Sequence, residues 1–214
     1  MFITLEGIEG SGKSTQIPRI SEHLERLGHT CLVTKEPGGT KVGEQIRSIL
    51  LDPGNTDLDA MAELLLYEAD RAQHVNRVIR PALETGKSVI CDRFADSTIA
   101  YQGAARGISA DFIKEINTVV FGGLKPDITF LLDLPPEVGL SRAWMQIDSG
   151  LRRKGESRFE QERIRFHEKV RQGYLALAAN EPWRIRVIDA QGTQNRVSEE
   201  IEAELDRLLD WSSP

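Results

Sequence analysis

The sequence predicts an α/β fold in which helices flank one five-stranded parallel sheet. Two observations support this class: short apolar runs alternate with longer segments of helical periodicity, and the short runs are almost continuously hydrophobic. Strands of that kind are covered on both faces, which is typical of parallel sheets joined by helical crossovers. The predicted strands are residues 2–5, 31–34, 88–91, 128–132 and 185–188.

The segments between these strands carry apolar residues at the spacing of amphipathic helices. Glycines at positions 28, 86 and 192 mark boundaries of the periodic segments. At 214 residues the chain can enclose a full core, and we expect a single domain over residues 1–214. The predicted helices include residues 22–27, 62–83, 159–179 and 198–211.

A phosphate-binding loop follows the first predicted strand. Residues 7–14 read Gly-Ile-Glu-Gly-Ser-Gly-Lys-Ser and match the pattern G-x-x-x-x-G-K-[ST] at every fixed position. The amides of such a loop surround a polyphosphate, while Lys13 reaches the outer phosphates and the Ser14 hydroxyl can hold Mg²⁺. We therefore expect ATP or GTP to bind here. The residues predicted to bind ATP are Gly7, Ile8, Glu9, Gly10, Ser11, Gly12, Lys13, Ser14 and Thr15.

A second chemical signal, Asp92-Arg93, ends the third predicted strand. Ligands of open α/β folds gather at the carboxyl edge of the sheet, where a carboxylate such as Asp92 can hold Mg²⁺ or its waters. The planar guanidinium of Arg93 suits a second phosphate because its donors match two phosphate oxygens. A surface ion pair between the two neighbours is the alternative interpretation.

The composition restricts the partners and the compartment. The chain has 27 Lys and Arg against 33 Asp and Glu, a formal net charge of −6, so we expect neither nucleic acid nor a membrane as a partner. We find no leader pattern and no apolar stretch long enough to cross a bilayer. Cys31 and Cys91 lie in apolar runs without metal-ligand spacing, which predicts two buried, reduced thiols in a cytoplasmic protein.

A basic segment follows the fourth predicted strand and contains Arg152, Arg153, Lys154 and Arg158. It predicts a flexible lid at about residues 142–160 that closes over a polyphosphate and neutralises developing charge. The four variable positions of the phosphate loop hold no cation, so the lid is expected to supply one. An ordinary solvated surface loop is the alternative.

Taken together, the motifs resemble those of bacterial thymidylate kinases. The resemblance extends from residue 2 to about residue 209, and its specificity lies in the order and spacing of the pieces. The motifs are the phosphate loop at 7–14, Glu-Pro-Gly-Gly-Thr at 36–40, Tyr-Glu-Ala-Asp-Arg-Ala-Gln-His at 67–74, Asp-Arg-Phe at 92–94, Tyr-Gln-Gly at 101–103 and Arg-Phe-Glu at 158–160.

The resemblance implies transfer of the γ-phosphoryl group of ATP to dTMP, giving dTDP and ADP, with Mg²⁺ as cofactor and a homodimer as the assembly. Arg93 would clamp the dTMP phosphate and Lys13 the ATP phosphates, so that positioning supplies most of the catalysis. The implied catalytic residues are Lys13, Arg93, Arg153 and Arg158, and the implied metal-binding residues are Ser14, Asp92 and Glu9.

The resemblance also implies how the pyrimidine is recognised. Tyr67 and Arg71 are one helical turn apart, so the ring can stack on thymine while the guanidinium donates to a carbonyl. Tyr101 would crowd the 2′ position of the sugar. The implied dTMP-binding residues are Glu9, Glu36, Pro37, Tyr67, Arg71, Arg93, Ser97, Thr98, Tyr101 and Gln102.

Two other functions share the phosphate loop. A kinase for adenylate, guanylate or shikimate would phosphorylate that substrate in preference to dTMP. A GTP-driven switch would need a guanine-reading N-K-x-D segment, which this sequence lacks.

Overall fold

Five parallel strands form one sheet in the computed structural model, which describes residues 1–151 and 153–212. In chain order the strands are β1 (Phe2–Glu6), β2 (Cys31–Lys35), β3 (Ser88–Asp92), β4 (Ile128–Asp133) and β5 (Ile185–Asp189). Their order in the sheet is β2-β3-β1-β4-β5, and every neighbouring pair is parallel. The predicted α/β class and five-stranded parallel sheet are confirmed.

Each strand continues one residue beyond its predicted carboxyl end, and that residue is charged. The apolar pattern stops at the last hydrophobic residue, whereas the backbone pairing goes on: Leu5 lies opposite Asp92, and Asp133 lies opposite Asp189. A charged residue is tolerated there because the apolar layers end at the edge of the sheet. The five terminal residues are Glu6, Lys35, Asp92, Asp133 and Asp189.

Helices connect consecutive strands and cover the sheet. They are α1 (Lys13–Arg26), α2 (Lys41–Leu51), α3 (Ala60–His74), α4 (Arg80–Glu84), α5 (Ala95–Thr98), α6 (Ala110–Phe121), α7 (Pro136–Asp148), α8 (Ile164–Asn180) and α9 (Gln194–Ser212).

The helix predicted over residues 62–83 is a continuous helical run, in which a π-helical turn, Val75–Ile79, joins α3 to α4. Pro81 lies just beyond that turn. Proline has no N–H to donate and crowds the carbonyl one turn earlier, and a wider turn before it relieves both constraints.

The helix predicted over residues 159–179 starts later than expected, at Ile164. The residues before it are held by tertiary contacts: the ring centroids of Phe159 and Tyr101 lie 5.3 Å apart, and the amide of Arg158 donates to the carbonyl of Leu51. These contacts fix a turn in place of a first helical turn.

The core lies on both faces of β1. Ile3 and Leu5 belong to the larger apolar cluster, whereas Phe2 belongs to a second cluster with Val89 and Phe94. Alternate residues of a strand face opposite sides of the sheet, so β1 is buried on both. The central strands therefore have the two-sided burial that their sequences predict.

The edge strands depart from that pattern. Val33 in β2 and Val187 in β5 are 47% and 44% exposed. Cys31, at the start of β2, is only partly buried, which corrects the expectation of two buried thiols, whereas Cys91 in the inner strand β3 is buried. Both cysteines are free thiols, as predicted.

The first turn of α7 packs directly on the phosphate loop through two glycines. A Cβ on Gly10 would lie 2.0 Å from the carbonyl oxygen of Gly139, and a Cβ on Gly139 would lie 2.5 Å from the carbonyl oxygen of Glu9. Backbone therefore touches backbone, and Gly10 also has a φ of 69°.

Candidate active site

A cavity of about 310 Å³ opens at the carboxyl edge of the sheet and collects most of the predicted residues. All residues that the resemblance assigned to dTMP line it, as does Asp92. Gly7, Ile8 and Thr15, which were also predicted to bind ATP, do not line the cavity. From the predicted ATP set it contains Glu9, Gly10, Ser11, Gly12, Lys13 and Ser14.

The phosphate loop turns its lysine inward. The Lys13 ammonium donates to the carbonyls of Gly7 and Ile8, at 3.0 and 3.2 Å, and to the Ser11 hydroxyl at 3.2 Å. Burial lowers the pKa of Lys13 to about 8. Gly12 precedes α1 with a φ of 98° and no side-chain cap, so the first amides of the helix are available to an anion.

Arg93 lines the cavity and has an uncommon backbone conformation, with a φ of 69°. One guanidinium nitrogen donates to the hydroxyls of Ser97 and Tyr174, and the other donates to Glu9 at 3.2 Å. Its carbon lies 5.1 Å from the centroid of the Tyr101 ring. Arg93 is thus held from several sides at the place where a phosphate could meet it.

Glu9 is a buried carboxylate inside the loop. Its Oε1 accepts from the Tyr101 hydroxyl at 2.6 Å and from Arg93, and its Oε2 lies 3.2 Å from Nδ1 of His167 without hydrogen-bond alignment. Burial alone would raise the pKa of Glu9, but His167, Arg93 and Tyr101 outweigh it and hold that pKa far below its usual range. Glu9 therefore stays ionised.

Glu6 supports Arg93 from behind and was missed by the sequence analysis. It accepts from the amide of Phe94 at 2.7 Å and from the hydroxyls of Ser97 and Tyr174 at 2.6 and 2.8 Å. These hydroxyls in turn accept hydrogen bonds from the guanidinium of Arg93. The sequence feature that could have indicated this role is a charged residue directly after the apolar run of β1.

The predicted base-recognition pair belongs to α3. Tyr67 and Arg71 both line it, and Arg71 is 1% exposed. Arg71 donates to Glu36 at 2.8 Å and to Glu68 at 2.5 Å, which fixes the orientation of its guanidinium. Burial raises the pKa of Tyr67, so its phenol stays neutral.

The remaining predicted base contacts differ in how free they are. The Thr98 hydroxyl is buried and has no hydrogen-bond partner among the described residues. The Ser97 hydroxyl is committed to Glu6. The Gln102 amide nitrogen donates to Glu63 at 2.7 Å. Thr98 and the carbonyl end of Gln102 are therefore the groups that this wall offers to a ligand.

The basic segment differs from the predicted lid. Residues from 142 to Asp148 belong to α7, so the irregular part begins only after that helix. Arg158 is 8% exposed and donates to Glu63 at 2.7 Å, which corrects the expectation that it faces ATP. Arg153 does not line the cavity, and its side chain is 85% exposed. Arg152 lies outside the described residues.

Arg47, on α2, is a cavity residue that sequence analysis did not identify. It donates to the carbonyl of Pro37 at 2.9 Å and to Glu156 at 2.7 Å. It thereby joins the basic segment to the loop after β2. A single arginine in an amphipathic helix carries no sequence signal of such a role.

The residues present fit a magnesium ion held partly by substrate. Among the described residues there is no group of three or more His, Cys, Asp or Glu that could hold a metal by itself. Oδ1 of Asp92 is buried without a hydrogen-bond partner in the described part of the chain, and both Asp92 and Ser14 line the cavity. Mg²⁺ is commonly bound by one or two carboxylates together with phosphates and water. Oε1 of Glu9 is already engaged, so Asp92 and Ser14 fit best.

The chain matches one family model over most of its length. The family model described as thymidylate kinase matches residues 5–201. The chain belongs to the thymidylate kinase family. It is 56% identical over 214 residues to thymidylate kinase of Desulfosudis oleivorans, with 100% of both chains covered. It is 56% identical over 200 residues to that of Syntrophotalea carbinolica, covering 94% of this chain and 92% of the relative.

A solved structure agrees with the family assignment. The crystal structure of thymidylate kinase from Ehrlichia chaffeensis matches with a TM-score of 0.77 at 35% identity, covering 96% of this chain and 98% of that one. The predicted family, enzyme class and fold of a phosphate-loop kinase with ATP as phosphoryl donor are confirmed. Within the described ranges, none of the helices has the length and apolar character required to span a bilayer.

Proposed function

We propose that this thymidylate kinase family member binds ATP and dTMP end to end in the cavity and transfers the γ-phosphoryl group, giving dTDP and ADP. One observation carries this placement. The phosphate loop with Lys13, the guanidinium of Arg93 and the Tyr67–Arg71 pair all line a single cavity.

Positioning and electrostatics supply the catalysis in this proposal. Lys13 binds the outer phosphates of ATP, and Arg93 binds the phosphate of dTMP, so that acceptor and donor oxygens come into line. Glu9 and Tyr101 hold Arg93 in place, and the sugar lies against this pair. No general base is required, because phosphoryl transfer of this type depends little on proton removal.

The basic segment enters the proposal through Arg153 alone. Its exposed side chain would reach the ATP phosphates when the segment closes, whereas Arg158 is committed to the ion pair with Glu63. Closure would exclude water and add a positive charge, which the four variable positions of the loop do not supply.

Mg²⁺ is the proposed cofactor. Asp92 and Ser14 would hold it with the ATP phosphates, and it would neutralise charge on the transferred group. The buried Oδ1 of Asp92, which has no hydrogen-bond partner within residues 1–151 and 153–212, supports this assignment.

The test is a panel of nucleoside monophosphates, namely dTMP, dUMP, dCMP, AMP and GMP, incubated with the purified protein and Mg-ATP while ADP release is measured. We expect dTMP to give the highest kcat/KM and dUMP a lower value, because a missing methyl costs about 1–3 kcal/mol. Omission of Mg²⁺ with added chelator should abolish turnover. A higher kcat/KM for AMP or GMP than for dTMP would overturn the proposal.

We also infer a homodimer in the cytoplasm. α3 and α6 expose large apolar side chains, including Leu65 at 52% and Val119 at 86%, and such a surface fits a second copy of the chain. The free thiols Cys31 and Cys91 support a reducing compartment. Sedimentation velocity should show a dimer that Val119→Glu dissociates, whereas Val42→Glu, on the exposed face of α2, should leave it intact.

A further inference from the structure

Glu63 is a fully buried carboxylate that lies outside the cavity and receives four donors. It is 0% exposed, and it accepts from Arg158 at 2.7 Å, from two nitrogens of Arg106 at 3.3 and 3.2 Å, and from the Gln102 amide at 2.7 Å. Three of the four bonds come from arginines and neutralise its charge. The fourth comes from Gln102, a side chain that lines the cavity.

The chemistry of that fourth bond fixes the orientation of Gln102. Burial alone would raise the pKa of Glu63, but Arg158 and Arg106 outweigh it and keep that pKa below its usual value. An ionised carboxylate only accepts hydrogen bonds, so the NH₂ group of Gln102 has to face it. The carbonyl oxygen of Gln102 is then the end left for a ligand in the cavity.

This orientation distinguishes between two pyrimidines. Thymine carries a donor at N3 and an acceptor at O4, whereas cytosine carries an acceptor at N3 and an amino donor at C4. A fixed Gln102 oxygen accepts from the N3–H of thymine but opposes the N3 lone pair of cytosine. Arg71 has donors only, so it matches O4 and opposes the amino group of cytosine. Gln102 and Arg71 therefore both favour thymine over cytosine.

We propose that Glu63 is a positioning residue that sets the preference for thymine over cytosine by holding the Gln102 amide with its oxygen toward the base. The inference rests on the proposed dTMP site. A site built to pair with a substrate group rejects an analogue that leaves buried polar groups unpaired far more strongly than it rejects a missing methyl.

Glu63→Gln is the decisive variant. Arg158 and one terminal nitrogen of Arg106 both bond Oε2, so they retain the new amide's oxygen there. The new NH₂ then replaces Oε1, where it faces Gln102 at the cost of the longer, 3.3 Å bond from Nε of Arg106. Gln102 then has to reverse its amide and turn NH₂ into the cavity. We expect the ratio of kcat/KM for dTMP to that for dCMP to fall by about tenfold or more. The ratio for dTMP to dUMP should stay within about twofold, because these bases present the same N3 and O4 groups.

A double-mutant cycle separates positioning from a general loss of structure. In a Gln102→Leu background, Glu63→Gln should no longer change the dTMP to dCMP ratio, since no amide remains to reverse. Asp96→Asn is the matched control: Asp96 also receives a buried arginine, Arg184, but does not line the cavity, so its loss should lower stability and leave the ratio unchanged.

The outcomes are distinct. A wild-type protein that does not phosphorylate dTMP refutes the proposed function itself. A wild-type protein that does so, together with an unchanged dTMP to dCMP ratio in Glu63→Gln, refutes the role of Glu63. If the single variant does not fold, Glu63→Gln with Arg106→Gln relieves the unpaired arginine and makes the same measurement possible, with the same expected fall in the ratio.

Discussion

The carboxyl edge of the sheet and the segment after α7 both carry cations that the sequence marks as phosphate ligands, yet the structure uses them differently. At the edge, Lys13 and Arg93 line the cavity and are held by loop carbonyls and by buried hydroxyl and carboxylate groups. In the segment, Arg158 turns into the protein toward Glu63, and Arg153 faces solvent.

The difference shows what determines the direction of a charged side chain. At the edge, the strand ends and the start of α1 set the backbone, so Lys13 and Arg93 have little choice of direction. In the segment, the decisive partner of Arg158 is Glu63, which is far away in sequence. Edge residues should therefore control turnover, whereas the buried arginine of the segment should control stability.

The largest expected effect is at Lys13. Lys13→Ala removes the charge that stabilises the transferred phosphoryl group, so kcat should fall by about 10²–10³-fold or more. The melting temperature should change little, because among the described residues the Lys13 ammonium donates to groups of its own loop. Steady-state kinetics and thermal unfolding of the same preparation check both parts. A near-normal kcat would contradict the control of turnover by the edge residues.

Glu6 tests the stability of the carboxyl edge, because it is a fully buried carboxyl group and its ionisation costs folding free energy. Burial and the nearby Asp96 raise the pKa of Glu6 from 4.5 to about 7. The folded state therefore binds more protons than the unfolded state between these values, and the free energy of unfolding should decrease as pH rises through that window.

Glu6→Gln removes this pH dependence. Relative to the wild type, the variant should gain stability of the order of 3 kcal/mol between pH 4.5 and 8, measured by urea denaturation at several pH values. Glu84→Gln, an exposed replacement, controls for the loss of one carboxylate. Parallel pH profiles for Glu6→Gln and the wild type would contradict the expectation.

Arg158 and Arg153 test the segment. Arg158→Met breaks a buried, charge-assisted hydrogen bond to Glu63 and should cost about 2 kcal/mol of unfolding free energy, while Arg106 keeps Glu63 partly paired. Arg153→Ala should leave stability unchanged and lower kcat if the segment closes over ATP. A large fall in kcat for Arg158→Met without any loss of stability would place Arg158 at the phosphates after all.

Tyr101→Phe should have the smallest effect. It removes the hydrogen bond from the hydroxyl to Glu9 but keeps the ring beside Arg93, so we expect a loss of about 1 kcal/mol in kcat/KM for dTMP. If the ring itself crowds the 2′ position, the preference for dTMP over ribothymidylate should persist in this variant and relax in Tyr101→Ala. An unchanged preference in Tyr101→Ala would remove that role.

The sequence predicted the fold and the edge residues because both depend on local patterns. Continuous apolar runs revealed the strands, and the spacing of glycines, lysine and serine identified the phosphate loop between β1 and α1. Hydrophobicity also explains the consistent error at the strand ends. It cannot include a charged last residue such as Glu6, although that residue supports Arg93.

The parts that escaped prediction depend on contacts between distant segments. Nothing local to Arg158 indicates that it donates to a glutamate on α3, and nothing local to Arg47 indicates that it bridges Pro37 and Glu156. The partial exposure of Cys31 follows from the edge position of β2, which only the strand order reveals.

The glycine-to-glycine contact between the phosphate loop and α7 restricts how this chain can vary. Neither Gly10 nor Gly139 has room for even a methyl group, because each would drive it into the main chain of the other segment. A saturation scan under selection for growth should therefore leave glycine at both positions. This holds for Gly139 too, although it belongs to none of the sequence motifs. Replacing Gly10 and Gly139 together would not restore function, since each added Cβ collides with the backbone of the other segment and not with the side chain added at the other glycine.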